Sequence, residues 1–329
     1  MTIHAQYLEN FYPSTIAWLG DDALVDWSQA GEACHLDGQQ SQRGQYSFGS
    51  NFNRAITSAD GTYAFIYQLL GTKGLLLKNG KLLREINRSY YHADVYEYPA
   101  VFATVAGATY LVHCPVEYCQ LDFEEVETGT LVTDIAGRRP TDFFHSRLEI
   151  SPAGGYLLSK GWMWHPWDGV QAFDIAACLA NPLLLDATEL RPDMGSELST
   201  AGFASEHQVV LLASGEEAMG DEDDALPVPP GHLAVWNLQT NEYAPAVAAQ
   251  GTVGNLFPLN EKLAWDLLLY PKLLDLETGE VVAQLETVAT GRQCSSITRD
   301  PDTPAIALNC RTGRIAVRTG NNVVVLSFD

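Results

Sequence analysis

Positive charge is scarce in this chain. Its 19 Lys and Arg stand against 41 Asp and Glu, a formal net charge of −22. So acidic a surface repels phosphates, which disfavours nucleic-acid binding and docking on an anionic membrane. A basic protein partner, by contrast, is attracted and its approach accelerated, although the same charge also serves solubility. Long apolar runs are missing, so no bilayer-spanning segment is expected. The N-terminal MTIHAQYLENFYPSTIAW lacks the basic start and apolar run of a secretory signal, and a cytoplasmic protein is the expectation. The cysteines are few and irregularly spaced: Cys34, Cys114, Cys119, Cys178, Cys294 and Cys310. They are expected to be reduced, mostly buried thiols. Cys114 and Cys119, beside His113, have no second ligand pair nearby in sequence, as a structural zinc site requires. Compact catalytic motifs are also absent, with no HExxH, GxSxG, P-loop or GxGxxG. No cofactor or metal is expected.

Helical periodicity is scarce as well. In its place stand short apolar or alternating runs such as TYAFIYQLL (62–70), VFATVAG (101–107), HQVVLLAS (207–214), HLAVWNL (232–238) and NVVVLSF (322–328). Separated by turn residues, these are strands and hairpins of an all-β protein. A unit of apolar strand, tight polar turn and second strand also repeats. It occurs at CHLDGQQ (34–40), LLLKNGKLLREI (75–86), FEEVETGTLVTDI (123–135), VWNLQTNEYAPAV (235–247) and LLDLETGEVVAQL (273–285). AFDIAACLANPLLLD (172–186) reads as a degenerate copy. Most turns are about forty to fifty residues apart, the period of a four-stranded propeller blade.

On these segments the chain resembles the WD40-type β-propellers. VWNLQTNE (235–242) and LLDLETGE (273–280) sit where that family has its third strand and the turn into the fourth. SPAGGYLLSKGW (151–162) and ITSADGTYAFIY (56–67) resemble the opening hairpin of a blade. The family's Gly-His and Trp-Asp dipeptides are mostly missing; Trp236 is followed by Asn237. The resemblance implies one propeller domain over residues 1–329, with seven four-stranded antiparallel blades. They are expected near 10–45, 52–88, 98–137, 145–188, 204–249, 251–289 and 292–329. The last blade is short of a strand, and IHAQYLEN (3–10) is expected to supply it and close the ring.

In such a ring the second-to-third-strand loops and the links between blades share one face. Four unusual segments then converge there over blades three to five. They are the tyrosine-rich link SYYHADVYEYP (89–99), the link AGRRPTDFFHS (136–146), the loop in GWMWHPWDG (161–169) and the acidic insertion GEEAMGDEDDALPVPPG (215–231). Aromatic residues on loops mark interaction sites, and Trp, Tyr and Arg dominate interface hot spots. Alternate strand residues would instead send Trp162 and Trp164 into the inter-blade core. Two of the three tryptophans in 161–169 are expected to be structural and Trp167 to face a ligand. The candidate partner-binding set is Tyr91, Tyr96, Arg138, Arg139, Phe144, His145, Trp164, His165, Trp167, Glu222, Asp223 and Asp224. Arg138 and Arg139 are suited to a carboxylate or phosphate, or else to the chain's own acids.

Two functions are compatible with these features. The first is a non-enzymatic protein-binding propeller, monomeric on its own: a scaffold, adaptor or inhibitor, in one version an immunity-type protein for a basic toxin. The second is a propeller hydrolase or lactonase. It would use a metal in the central channel, or a site where His145, His165, Asp142, Asp168 and Arg138 meet.

Overall fold

The computed structural model describes residues 1–49, 51–164, 167–187, 190–192, 195–215 and 226–329. Its strands form seven antiparallel sheets, the blades of a β-propeller. Blade one runs from Ala17–Leu19 to Gln40–Gln42, blade two from Arg54–Thr57 to Lys81–Asn87, and blade three from Ala100–Val105 to Asp122–Glu125. Blade four runs from Glu149–Ile150 to Trp167–Asp174 and blade five from Leu198–Phe203 to Val247–Ala248. Blade six runs from Leu256–Pro258 to Val281–Gln284 and blade seven from Ile306–Asn309 to Asn322–Phe328. Blade five begins at Leu198, ahead of its expected start at 204; the others lie inside their expected intervals. The ring closes as expected. Ile3–Leu8 forms the outer strand of blade seven, with Ile3 opposite Phe328 and Leu8 opposite Val323.

Each blade is sandwiched between two others, so both faces of its middle strands are buried. This is why YAFIY reads as a continuous apolar run. Phe65 enters the core shared by blades two and three, while Ala64 and Ile66 enter the core shared with blade one. Seven such clusters occur, one at each blade interface. Polar groups tie the same interfaces. The indole N–H of Trp27 donates to Thr57 Oγ1 at 2.8 Å, that of Trp265 to the Gly313 carbonyl at 2.8 Å, and that of Trp18 to the Ala307 carbonyl at 2.9 Å. The turn between Lys78 and Lys81 uses Asn79 and Gly80, both at positive φ, as a two-residue hairpin requires.

The outer edge departs from the uniform plan in three blades. In blade three the strand after the repeat turn is reduced to a bridge between Glu124 and Leu131. In blade five it is split into Glu242–Tyr243 and Val247–Ala248. In blade four the degenerate copy is no hairpin: Ile175–Ala180 is a helical turn and a half, followed by a 3-10 turn at Pro182–Leu185. Asp174 caps the helix, its Oδ1 accepting from the Ala177 N–H at 2.9 Å, and Ile175 and Cys178 point inward at helical spacing. Asn181-Pro182 then ends it.

Because each blade runs up and down in turn, its second-to-third-strand loop and its link to the next blade leave on the same side. Buried aspartates fasten the links there. Asp26 accepts from the N–H of Ser14 at 2.5 Å and the hydroxyl of Thr15 at 2.7 Å. Asp266 accepts from the N–H groups of Gly254 and Asn255, both at 2.7 Å, and pairs with Lys272 at 2.9 Å. The links on this face are therefore held by charge-assisted bonds rather than left loose.

Candidate functional site

The link from blade two to blade three is organised by Arg88, which is buried beneath it. Its guanidinium donates to the carbonyls of Gly71, Ala93, Tyr96 and Glu97 at 2.7, 2.9, 3.0 and 3.3 Å. It also lies over the rings of Tyr96 and Tyr98, 4.3 and 4.8 Å from their centroids. Four carbonyl dipoles and two ring faces stabilise this buried charge and fix the tyrosine-rich segment.

The link from blade three to blade four lies against the second strand of blade four, Tyr156–Met163. Phe144 and Trp162 exchange two backbone hydrogen bonds, at 2.9 and 3.3 Å, and their rings stack 4.2 Å apart at 10°. So close an approach needs Gly161, because a Cβ there would sit 2.0 Å from the Phe144 carbonyl oxygen. Tyr96 meets Phe144 edge-on at 5.2 Å. Tyr96, Phe144 and Trp162 make a buried floor, and Ile297 packs on it from the link between blades six and seven.

Four more rings sit on that floor. Tyr118 lies 4.5 Å from Phe144 and 4.8 Å from Tyr91. His92 lies 4.6 Å from Tyr91 and 5.0 Å from Trp164, and Trp164 lies 5.4 Å from Trp162. The upper rings reach solvent, Tyr91 at 44% and Trp164 at 40% exposure. Beside them Tyr90, Tyr91, His92, Pro115 and Val116 line an open groove of about 660 Å³, with Tyr90 83% exposed. Tyr118 is anchored by donating to Asp142 at 2.7 Å. Burial, then the Asp142 carboxylate, push its phenol above the usual range. Burial raises the Tyr96 phenol to about 12.

The structure divides the expected site residues. Tyr91 and Trp164 are exposed on the cluster, while Tyr96 and Phe144 lie beneath them. Trp167 is half-buried at the start of the third strand of blade four and joins no ring contact among the described residues. Its strand position holds it back, and Trp164 at the hairpin tip takes the outward place expected for it. Arg138 is occupied by the chain's own acids: its side chain is 3% exposed and pairs with Asp122 at 3.2 Å and Asp186 at 2.9 Å. It also donates to the carbonyls of Thr133 and Leu121. Arg139 is exposed, with its backbone N–H on Asp186 at 2.5 Å. His145 is buried, with Nδ1 3.0 Å from Ser159 Oγ, and burial lowers it to about 3. His165, Glu222, Asp223 and Asp224 lie outside the described residues.

The pieces of the catalytic reading are thus engaged separately: Asp142 with Tyr118, Arg138 with two aspartates, and His145 with Ser159. His113 is likewise a core residue, its Nε2 2.9 Å from Glu124, which also pairs with Arg84. Among the described residues, no cluster of three His, Cys, Asp or Glu is placed to hold a metal. No described helix is long and apolar enough to cross a membrane. Arg88, His92, Tyr118 and Ile297 were not expected at the site. Tyr118 was findable, since CPVEYCQL (114–121) is blade three's own second-to-third-strand loop. Ile297 was not, because nothing local places its link against Phe144.

No family model matches the chain, and no curated protein matches it in sequence. Its architecture is widespread: 912 chains of solved structures match it. One of them, from the crystal structure of the Mitotic Checkpoint Complex, aligns with a TM-score of 0.56 and 11% identity, over 99% of this chain and 91% of that one. The chain is a seven-bladed β-propeller of WD40-like fold. Identity this low establishes the propeller's fold and leaves function to the site.

Proposed function

We propose that this propeller is a non-enzymatic protein-binding module whose partner docks on the aromatic face over blades three and four. The observation that carries this reading is the continuous set of rings: Tyr91 and Trp164 exposed, with half-buried His92 between them, on a floor of buried aromatics and with a groove alongside. Rigid rings offer contact area at low ordering cost, and such rings serve as interface anchors. That a propeller of similar fold was solved within a complex accords with the reading. The net charge of −22 favours a basic partner, as for a scaffold, adaptor or inhibitor, including an inhibitor of a basic toxin.

The test is capture from a lysate of the source organism by wild type, by Tyr91→Ser/Trp164→Ser, and by a control at an exposed ring on the link into blade one, Tyr12→Ser. A protein retained by wild type and control but lost by the double variant supports the face. Equal retention by all three proteins sinks it. Association that fails to slow as salt is raised would remove the basic-partner component.

A further inference from the structure

The geometry points to a binding site for a small multivalent oxyanion at the mouth of the central channel, formed by Arg54, Arg299 and Arg318. This inference is independent of the aromatic face. In a chain with 41 acids, arginines are expected to find carboxylates readily. These three come from separate segments and line one cavity of about 570 Å³. Arg54 opens the inner strand of blade two, Arg318 lies near the end of blade seven's second strand, and Arg299 lies on the link into blade seven.

Their partners orient them more than they neutralise them. Arg318 Nη1 donates to the carbonyls of Pro13 and Ser14 at 3.2 and 2.6 Å. Arg54 Nη1 donates to the Asn53 carbonyl at 2.8 Å, and among the described residues no carboxylate lies within ion-pair distance of it. Arg299, with 9% of its side chain exposed, meets Glu97 at 3.3 Å, while its Nε is buried with no hydrogen-bond partner. Glu97 is also shared with the amide of Gln293. Arg147, on the adjoining channel, donates to Asn255 Oδ1 at 2.5 Å and leaves Nη1 buried and unpartnered. Glu97 itself lines the adjoining channel, and the acid on the cavity wall is Asp302, which is exposed.

Arg138 supplies the contrast, since two buried aspartates face that single guanidinium. At the channel mouth, among the described residues, only Arg299 of the three guanidiniums pairs with a carboxylate, that of Glu97. Burial lowers the Arg54 guanidinium to about 10; Glu97 opposes this, and Arg299 and Arg318 add to it. A half-buried, under-neutralised set of planar forks matches the oxygens of phosphate or carboxylate groups. The cavity is of small-molecule size, and the acidic surface around it turns away large polyanions.

The test is titration of the whole chain with pyrophosphate and with citrate at constant ionic strength, chloride as control, following heat of binding and thermal midpoint. Saturable binding beyond chloride is expected. Arg54→Gln and Arg318→Gln should each weaken it about tenfold. Asp302→Asn, a change at an exposed position, should tighten it about threefold and keeps the test open should an arginine variant fail to fold. Preference for pyrophosphate marks a phosphate ligand, and preference for citrate a carboxylate one. A response no greater than chloride's, or wild-type affinity in both Arg54→Gln and Asp302→Asn, overturns the proposal.

Discussion

Trp162 and Trp164 belong to one ring cluster, two residues apart, yet one is 4% exposed and the other 40%. The difference lies in the backbone. Trp162 is still paired within blade four, opposite Asp168, and is bridged on its other side to Phe144. Trp164 is one residue beyond the last paired position, Met163. The cluster therefore has a floor that belongs to the fold and a rim available to a partner. Sequence distance does not separate the two; the end of the strand does.

Substitution should expose that division, and the floor should give the larger effects. Trp162→Ala removes a ring stacked on Phe144 and leaves a cavity, so a loss of about 3–5 kcal/mol is expected in chemical denaturation. Arg138→Ala leaves Asp122 and Asp186 without their cation, and a loss of similar size, about 3–5 kcal/mol, is expected. A loss below about 1 kcal/mol in Trp162→Ala would show that the floor is not structural, and one in Arg138→Ala that the buried ion pairs do not hold the link.

His145 predicts a pH effect whose sign follows from its burial. Its folded value, about 3, lies below its ordinary 6.5, so only the unfolded chain takes up a proton between the two. Its contribution to stability is thus complete above about pH 7 and is lost as pH falls through 6.5, by about 1.4 kcal/mol per unit. Between pH 6.5 and 5 that is about 2 kcal/mol. Denaturation midpoints of wild type and His145→Gln should converge by that amount over this range, and parallel curves would place the imidazole in water. The smallest effect on folding belongs to the rim. Trp164→Ala should change stability by under about 1 kcal/mol, while retention of a partner falls at least about tenfold. Collapse of this variant would make Trp164 part of the floor.

Much of the architecture was legible because it is written in local chemistry. Strand runs such as YAFIY, turns such as Asn79-Gly80, and the missing strand of the last blade all point to a closed ring of seven blades. The helix at Ile175–Ala180 was missed because repeat spacing outweighed its own signals, an aspartate cap and inward residues at helical intervals. At the candidate site, Tyr91 and Trp164 were named from the unusual segments that the propeller topology brings to one face, although Trp167 was the tryptophan expected to point outward. What sequence could not order was depth. Phe144 and Trp164 are both aromatic residues in unusual segments; the bridge to Trp162 over Gly161 seats Phe144 below, and the end of the strand leaves Trp164 above. The pairing of Arg138 with Asp186 spans 48 positions, beyond the reach of any spacing argument.

The outer strand of blade seven is Ile3–Leu8, and its neighbour is Asn322–Phe328. A ribosome makes the first of these more than 300 residues before the second. At about 5–20 residues per second, the first strand waits on the order of tens of seconds for its place. Blades one to six can stack during that interval, but the circle cannot lock. Until then the ring is an open arc with a bare strand, a state exposed to mispairing with other nascent chains. This strand carries exposed Gln6 and a row of side chains that stay largely outside the core even in the finished ring. Ile3 and Leu8, which the finished ring covers, are the apolar surface presented during the wait.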